Sequence, residues 1–220
     1  MIEERLIVVG LSEPTLTMIL DNLESCGRFP RVHIVNNLGR TDLQPFANPR
    51  FHIALGDRCE HPEGPAEAFL GVNQPLSKVA VCAHLERLGL RLTFTTIVHR
   101  SAAVSSTAQF AAGVHVNSLV SVAAFASLGA FVSVNRNASI GHHTSLGPFA
   151  TVNPGANIAG FVRIGARSSI GIGATIVDGV EIGADVVIGA GSLVTKDIPP
   201  GVVAYGNPCR VVRANDATSA

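Results

Sequence analysis

From Val98 onward the chain keeps a beat of six residues. Stepping by six reaches Val98, Val104, Phe110, Val116, Val122 and Leu128, continues through Ile140, Ile158 and Ile176, and stops at Val194. All seventeen positions are branched aliphatic or Phe, with no slip in register. A period of six is neither the 3.6 of an α-helix nor the 2 of a flat strand, so neither element alone can carry this pattern. A short strand followed by a corner can. Three such flanks close a triangular coil of eighteen residues, and successive coils stack so that like rows lie on like rows.

A second row runs two residues ahead of the first, from Ala102 to Ser192, and holds only Ala, Val, Ser or Thr. Each strand therefore points one large and one small side chain inward. The residue after the large one is often glycine, as at Gly129, Gly141, Gly147, Gly165, Gly171, Gly183 and Gly189. Glycine there is expected to supply the backbone dihedrals of a tight corner. Pro199-Pro200 ends the pattern, and the tail beyond is expected to leave the column and cover one of its faces. Burial in so narrow a column calls for contacts between chains, so an oligomer is expected.

Ahead of the repeat the period changes. Residues 6–10 (LIVVG), 32–35 (VHIV) and 51–56 (FHIALG) read as strands. Helices are predicted over 15–25, with Leu16, Ile19, Leu20 and Leu23 on one face, and over 77–88, ending at Gly89. Residues 60–75, rich in Pro, Gly and Glu, read as a loop. Alternation of this kind implies a small parallel α/β unit. The predicted fold class is thus a small, Rossmann-like parallel α/β unit followed by an all-β parallel β-helix. Its divisions are an α/β unit over 1–92, the coils over 93–198 and a tail packing on them over 199–220.

Apolar residues make up 47% of the 220 and charged residues 15%, which excludes a disordered chain. The formal net charge is zero, so no field steers the chain onto nucleic acid or anionic lipid. The N-terminus lacks the basic and long apolar regions of a secretory signal, and the apolar stretch 120–134 is broken by Ser and Gly. A cytoplasmic protein that does not insert into membranes is expected. The cysteines, Cys26, Cys59, Cys82 and Cys209, form no CxxC pair and read as small buried side chains. Between the first strand and helix, Gly10, Ser12 and Pro14 occupy the place of a phosphate-binding turn. Spacing alone reads it as an ordinary βα turn, because Glu13 stands where an anion would bind.

The hexad rows, the segment IGHHTSLG (140–147), the run from Ile170 to Gly201 and the closing GNPCR (206–210) resemble the hexapeptide-repeat acyltransferases. The α/β unit ahead of the coils narrows the likeness to sugar acetyltransferases of the sialic acid O-acetyltransferase type, including those that N-acetylate nucleotide-linked amino sugars. The resemblance implies a left-handed coil, a homotrimer, acetyl-CoA as donor and active sites between subunits. The family's catalytic histidine falls on His142. An acid normally follows it, and here His143 does; an upstream asparagine matches Asn135. A second family histidine, near the donor thioester, falls at Thr151, and coenzyme-lining backbone positions match Gly160, Ile172 and Ala190. On the acceptor side the resemblance points to Gly10, Ser12 and Asn36, although the family's glycine-rich turn is reduced and its acidic pair is Asn36-Asn37.

The implied activity is acetyl transfer to an amino or hydroxyl group of a sugar, directly from the thioester, with His142 as general base and no resident metal. Two alternatives stand beside it. A zinc enzyme of the gamma-carbonic-anhydrase type would use the same scaffold and need three histidines around one ion, whereas His142 and His143 are adjacent and His115 is far along the coil. A non-catalytic trimeric relative would keep the ligand and lose the chemistry.

Overall fold

The structure, a computed structural model, describes residues 5–10, 12–35, 51, 53–56, 67–89 and 92–216. The N-terminal unit is a parallel sheet of β1 (Arg5–Val9), β2 (Arg31–Val35), β3 (Ile53–Gly56), β4 (Glu67–Leu70) and β5 (Thr93–Phe94), in the order β3-β2-β1-β4-β5. Helix α1 (Glu13–Ser25) follows β1 and helix α2 (Pro75–Arg87) follows β4. Alternation along β1 serves the two faces. Leu6 and Val8 pack with Leu16, Ile19, Leu20 and Leu23 of α1, while Ile7 and Val9 pack with Val81 and Leu85 of α2.

Strand β4 lies inside the segment read as a loop from its Pro and Glu content. Its Ala68, Phe69 and Leu70 are buried between β1 and β5. Three apolar residues are too few to show a period, and pairing with a distant β1 decides the structure. Gly71, just past the strand, is glycine for a steric reason: a Cβ there would fall on the carbonyl oxygen of Gly10 and on Val8.

The coils follow the sequence rows. Seventeen two-residue strands, β6 (Ile97–Val98) through β22 (Leu193–Val194), recur every six residues and build a left-handed parallel β-helix of about six turns. Each large residue pairs in parallel with those eighteen residues away. The first flank stacks Val98, Val116, Val134, Val152, Ile170 and Ile188. The second stacks Val104, Val122, Ile140, Ile158, Ile176 and Val194. The third stacks Phe110, Leu128, Leu146, Ile164 and Ile182. The small row fills the space between them, with Val114, Ala126, Val132, Thr144, Ala150 and Ser168 wholly buried.

The glycine row has a different cause from the one expected. The left-handed backbone falls two residues later, on Leu119, Phe125, Phe131, Asn137, His143, Phe149, Phe161, Arg167 and Asp185, with φ between 56° and 64°. Gly141 and its equivalents instead permit close stacking of coils. A Cβ on Gly141 would fall on the carbonyl of Ala159, and one on Gly165 on the backbone nitrogen of Ala184.

The described tail residues add rungs to the open end of the column: β23 (Val202–Tyr205) pairs with Val187 and Ile188 of the first flank, and β24 (Arg210–Ala214) returns antiparallel to it. Ile198 bridges Ile182 at the end of the third flank, and Ala204 and Cys209 complete the coil core. An uncovered end would leave a ladder edge and apolar side chains in water, which this cap prevents.

Candidate active site

The corner between the second and third flanks carries the histidines. Strand β13 (Ser139–Ile140) runs into Gly141, His142, His143 and Thr144. Thr144 turns inward, fully buried, and its hydroxyl donates to the carbonyl of Ala159 at 2.8 Å. The two histidines turn outward and are exposed. Because coils stack every eighteen residues, His142 shares a column with Ala124, Gly160, Asp178 and Lys196, and His143 shares one with Phe125, Phe161 and Gly179.

This second column is an aromatic stack. The ring of His143 lies 5.0 Å from Phe125 and 4.9 Å from Phe161, nearly parallel to the latter. The His142 ring meets Phe161 edge-on at 4.9 Å. Nδ1 of His142 lies 3.2 Å from Nδ1 of His143, so one ring donates to the other. The far edge of the His142 ring faces Gly160: a Cβ on that glycine would sit 2.5 Å from Cε1 and 2.7 Å from Nε2. The absent side chain leaves the room in which the imidazole lies.

Gly160, Ile172 and Ala190 have one property in common. Each is the second residue of a corner, and among the described residues no acceptor engages its backbone N–H. Ile172 and Ala190 are adjacent rungs at the corner between first and second flanks, and both are exposed. Gly160 lies at the other edge of the second flank, beside His142.

Asn135 and Thr151 stand apart from His142 within one chain. Asn135 is 2% exposed, at the corner between first and second flanks, in a ladder with Asn117. Its amide donates to the carbonyl of Val152 at 3.0 Å. Thr151 points outward from the first flank but is covered by α2. Its hydroxyl donates to the carbonyl of Asn73 at 2.8 Å and accepts from Nζ of Lys78 at 3.0 Å.

Lys78 is one of several residues that sequence reasoning missed. A lysine on a helix reads as solvated, yet this one is 1% exposed, donates also to the carbonyl of Phe131 at 2.9 Å, and is held by burial to a pKa of about 7. Asn22 of α1 makes the matching contact on the other side of the sheet. Its amide donates to Nε2 of His115 at 2.8 Å and lies 3.2 Å from the carbonyl of Val116. Burial, and then the charge of Lys78, push His115 down to about 3, so it is the neutral acceptor that Asn22 requires. Both helices thus seat the α/β unit on the outer face of the first flank. No local period in the sequence signals this docking.

At the first βα turn Gly10 adopts φ 82° and its N–H reaches the carbonyl of Val35 at 3.3 Å. The N–H of Ser12 is taken by the carbonyl of Gly71 at 2.8 Å, and the Ser12 hydroxyl makes no capping bond to α1. Asn36 lies outside the described residues. Among the described residues no three His, Cys, Asp or Glu side chains gather as a metal-binding group, and no helix is long and apolar enough to cross a membrane.

Residues 161–196 match the bacterial transferase hexapeptide family (six repeats). The chain is similar over 96% of its length to PerB from Caulobacter crescentus, solved with CoA and GDP-perosamine, at 26% identity, TM-score 0.75 and 98% coverage of that chain. The acetyltransferase domain of PglB from Neisseria gonorrhoeae, solved with acetyl coenzyme A, has the same fold at 23% identity and TM-score 0.82, covering 96% of this chain and 100% of that one. So has WeeI from Acinetobacter baumannii, at 20% identity and TM-score 0.77, covering 94% and 100%. No curated protein matches the chain in sequence.

Proposed function

We propose that this chain is an acetyl-CoA-dependent acetyltransferase that acylates the amine of a nucleotide-linked sugar. The observation that carries the reading is the His142 corner: an exposed imidazole whose Nε2 faces a side-chain-free Gly160 with a backbone N–H to spare. The PerB likeness, with CoA and GDP-perosamine named in that complex, supports the donor and acceptor classes.

The chain's residues fit such a donor. The unengaged N–H groups of Gly160, Ile172 and Ala190 are hydrogen-bond donors for the carbonyls of an acylated pantetheine arm. Ile172 and Ala190 lie at one edge of the second flank and Gly160 at the other, so a groove between two columns would present one corner from each copy. A homotrimer is proposed on that ground. It would also let Asn135 of one copy, which is distant from His142 along its own coil, act on a site shared with the next.

Acetyl-CoA, when bound, supplies the acetyl group as a thioester. With Nδ1–H of His142 donated to Nδ1 of His143, the lone pair on Nε2 is free to take a proton. His143 then does for the tautomer what a carboxylate does elsewhere. The acceptor nitrogen attacks the carbonyl carbon and its proton passes to Nε2. The new N–C bond forms, the C–S bond breaks, and the electron pair leaves on sulfur, which the imidazolium can reprotonate. The N–H of Gly160 faces the carbonyl oxygen as charge grows there. General-base assistance of this kind contributes roughly 10²–10⁴-fold. Gly10, Ser12 and Asn36 are proposed to face the nucleotide portion of the acceptor. Location in the cytoplasm, where acetyl-CoA is made and used, belongs to the same proposal.

Titration with coenzyme A, followed by transfer assays against nucleotide-linked amino sugars and their hydroxyl counterparts, tests the reading. Coenzyme binding with transfer to an amine is expected. Absence of both would overturn it.

A further inference from the structure

The position after His142 holds no acid, yet a carboxylate faces the ring from another coil. Two rungs along the same corner, thirty-six residues on, stands Asp178, on the far side of Gly160. A Cβ on Gly160 would lie 2.7 Å from Nε2 of His142 and 2.9 Å from Oδ1 of Asp178. The two atoms therefore address one gap from opposite sides, and the glycine keeps that gap open. Asp178 is exposed and, among the described residues, takes part in no ion pair. Lys196 is the next rung in the column and makes no ion pair with it either. The neighbouring cations, Arg163 and Arg167, are occupied by Glu181 and Asp185.

We infer that Asp178 is the positioning carboxylate of the His142 site, acting across Gly160 on the acceptor amine and on the charge formed as its proton moves. The inference rests on the acetyltransferase reading above. A sugar amine reaches the site largely as the ammonium, which a carboxylate holds; it gives one proton to water before it reacts, and the neutral amine is the nucleophile. A nitrogen lodged outboard of Gly160 comes within reach of both the carboxylate and Nε2. As the amine attacks, positive charge grows on its nitrogen within the gap until the proton passes to Nε2; the carboxylate faces that nitrogen, and exclusion of water by the bound acceptor strengthens its effect. The family position next to the histidine can then carry a second imidazole without leaving the site devoid of an anion.

The test compares Asp178→Asn and Asp178→Glu with the parent, using acetyl-CoA and the best amino-sugar acceptor of the panel. In Asp178→Asn, kcat/KM for the acceptor is expected to fall about 10-fold or more, while coenzyme A affinity and melting temperature stay at the parent values. Asp178→Glu, which keeps the charge, is expected to recover part of the loss. A purely structural role would move the melting temperature and would not follow the charge. Parent-like transfer by Asp178→Asn would overturn this inference and leave the acetyltransferase reading standing. A parent protein that transfers to no acceptor would overturn both.

Discussion

Lys78 buries its ammonium against Thr151, Nζ to Oγ1 at 3.0 Å, and so ties α2 to the first flank of the coils. The contact joins the α/β unit to the column through a group that would be charged in water. Burial lowers Lys78 to about 7 from 10.5, so between those values the unfolded chain binds more protons than the folded one. Stability therefore rises with pH across that window, by on the order of 5 kcal/mol. His115, lowered to about 3 from 6.5, acts lower down: stability is lost as pH falls below about 6.5. Urea titrations from pH 5 to 10 should show both rises, and Lys78→Met should flatten the upper one.

Glycines in the corners should divide by cause. Gly155 has φ 68° with nothing near its missing Cβ, so Gly155→Ala carries only the left-handed penalty of about 1–2 kcal/mol. Gly141→Ala drives a methyl into the backbone of Ala159 and should cost more, about 3 kcal/mol, because neither coil can yield without moving its neighbours. Thermal melts of the two variants check the order.

The coil core should respond like any close-packed interior. Ile170 is wholly buried between Val152 and Ile188. Ile170→Ala should destabilise by about 2–5 kcal/mol, read as a drop in melting temperature with the fold retained in circular dichroism.

Phe161 touches both histidines, stacking on His143 and meeting His142 edge-on. Aromatic contacts of this geometry are worth about 0.5–1.5 kcal/mol. Phe161→Ala should loosen both rings and lower kcat by about 3–10-fold, with coenzyme A binding little changed. Phe161→Tyr should restore most of the rate.

How much of this was legible beforehand depends on the distance over which each feature is decided. The rows through Ile140 and Ala138 could be read because each hexad repeats the same burial. The likeness carried by IGHHTSLG led to the His142 corner for the same reason. Strand β4 escaped because Ala68–Leu70 is too short for a period and its partner β1 lies some sixty residues earlier. The glycine row was visible and its cause was not: the clash between Gly141 and Ala159 exists only between stacked coils. Lys78 and Asn22 look like ordinary polar residues on amphipathic helices, and their burial follows from docking that no local pattern encodes. Asp178 could have been found from the eighteen-residue step that sets it in register with His142 and Gly160.

The most direct measurement is acetyl transfer by His142→Ala beside the parent, following coenzyme A release with an amino-sugar acceptor. The account predicts that the variant still binds coenzyme A and that its kcat falls by roughly 10²–10⁴-fold. Transfer at the parent rate would contradict it.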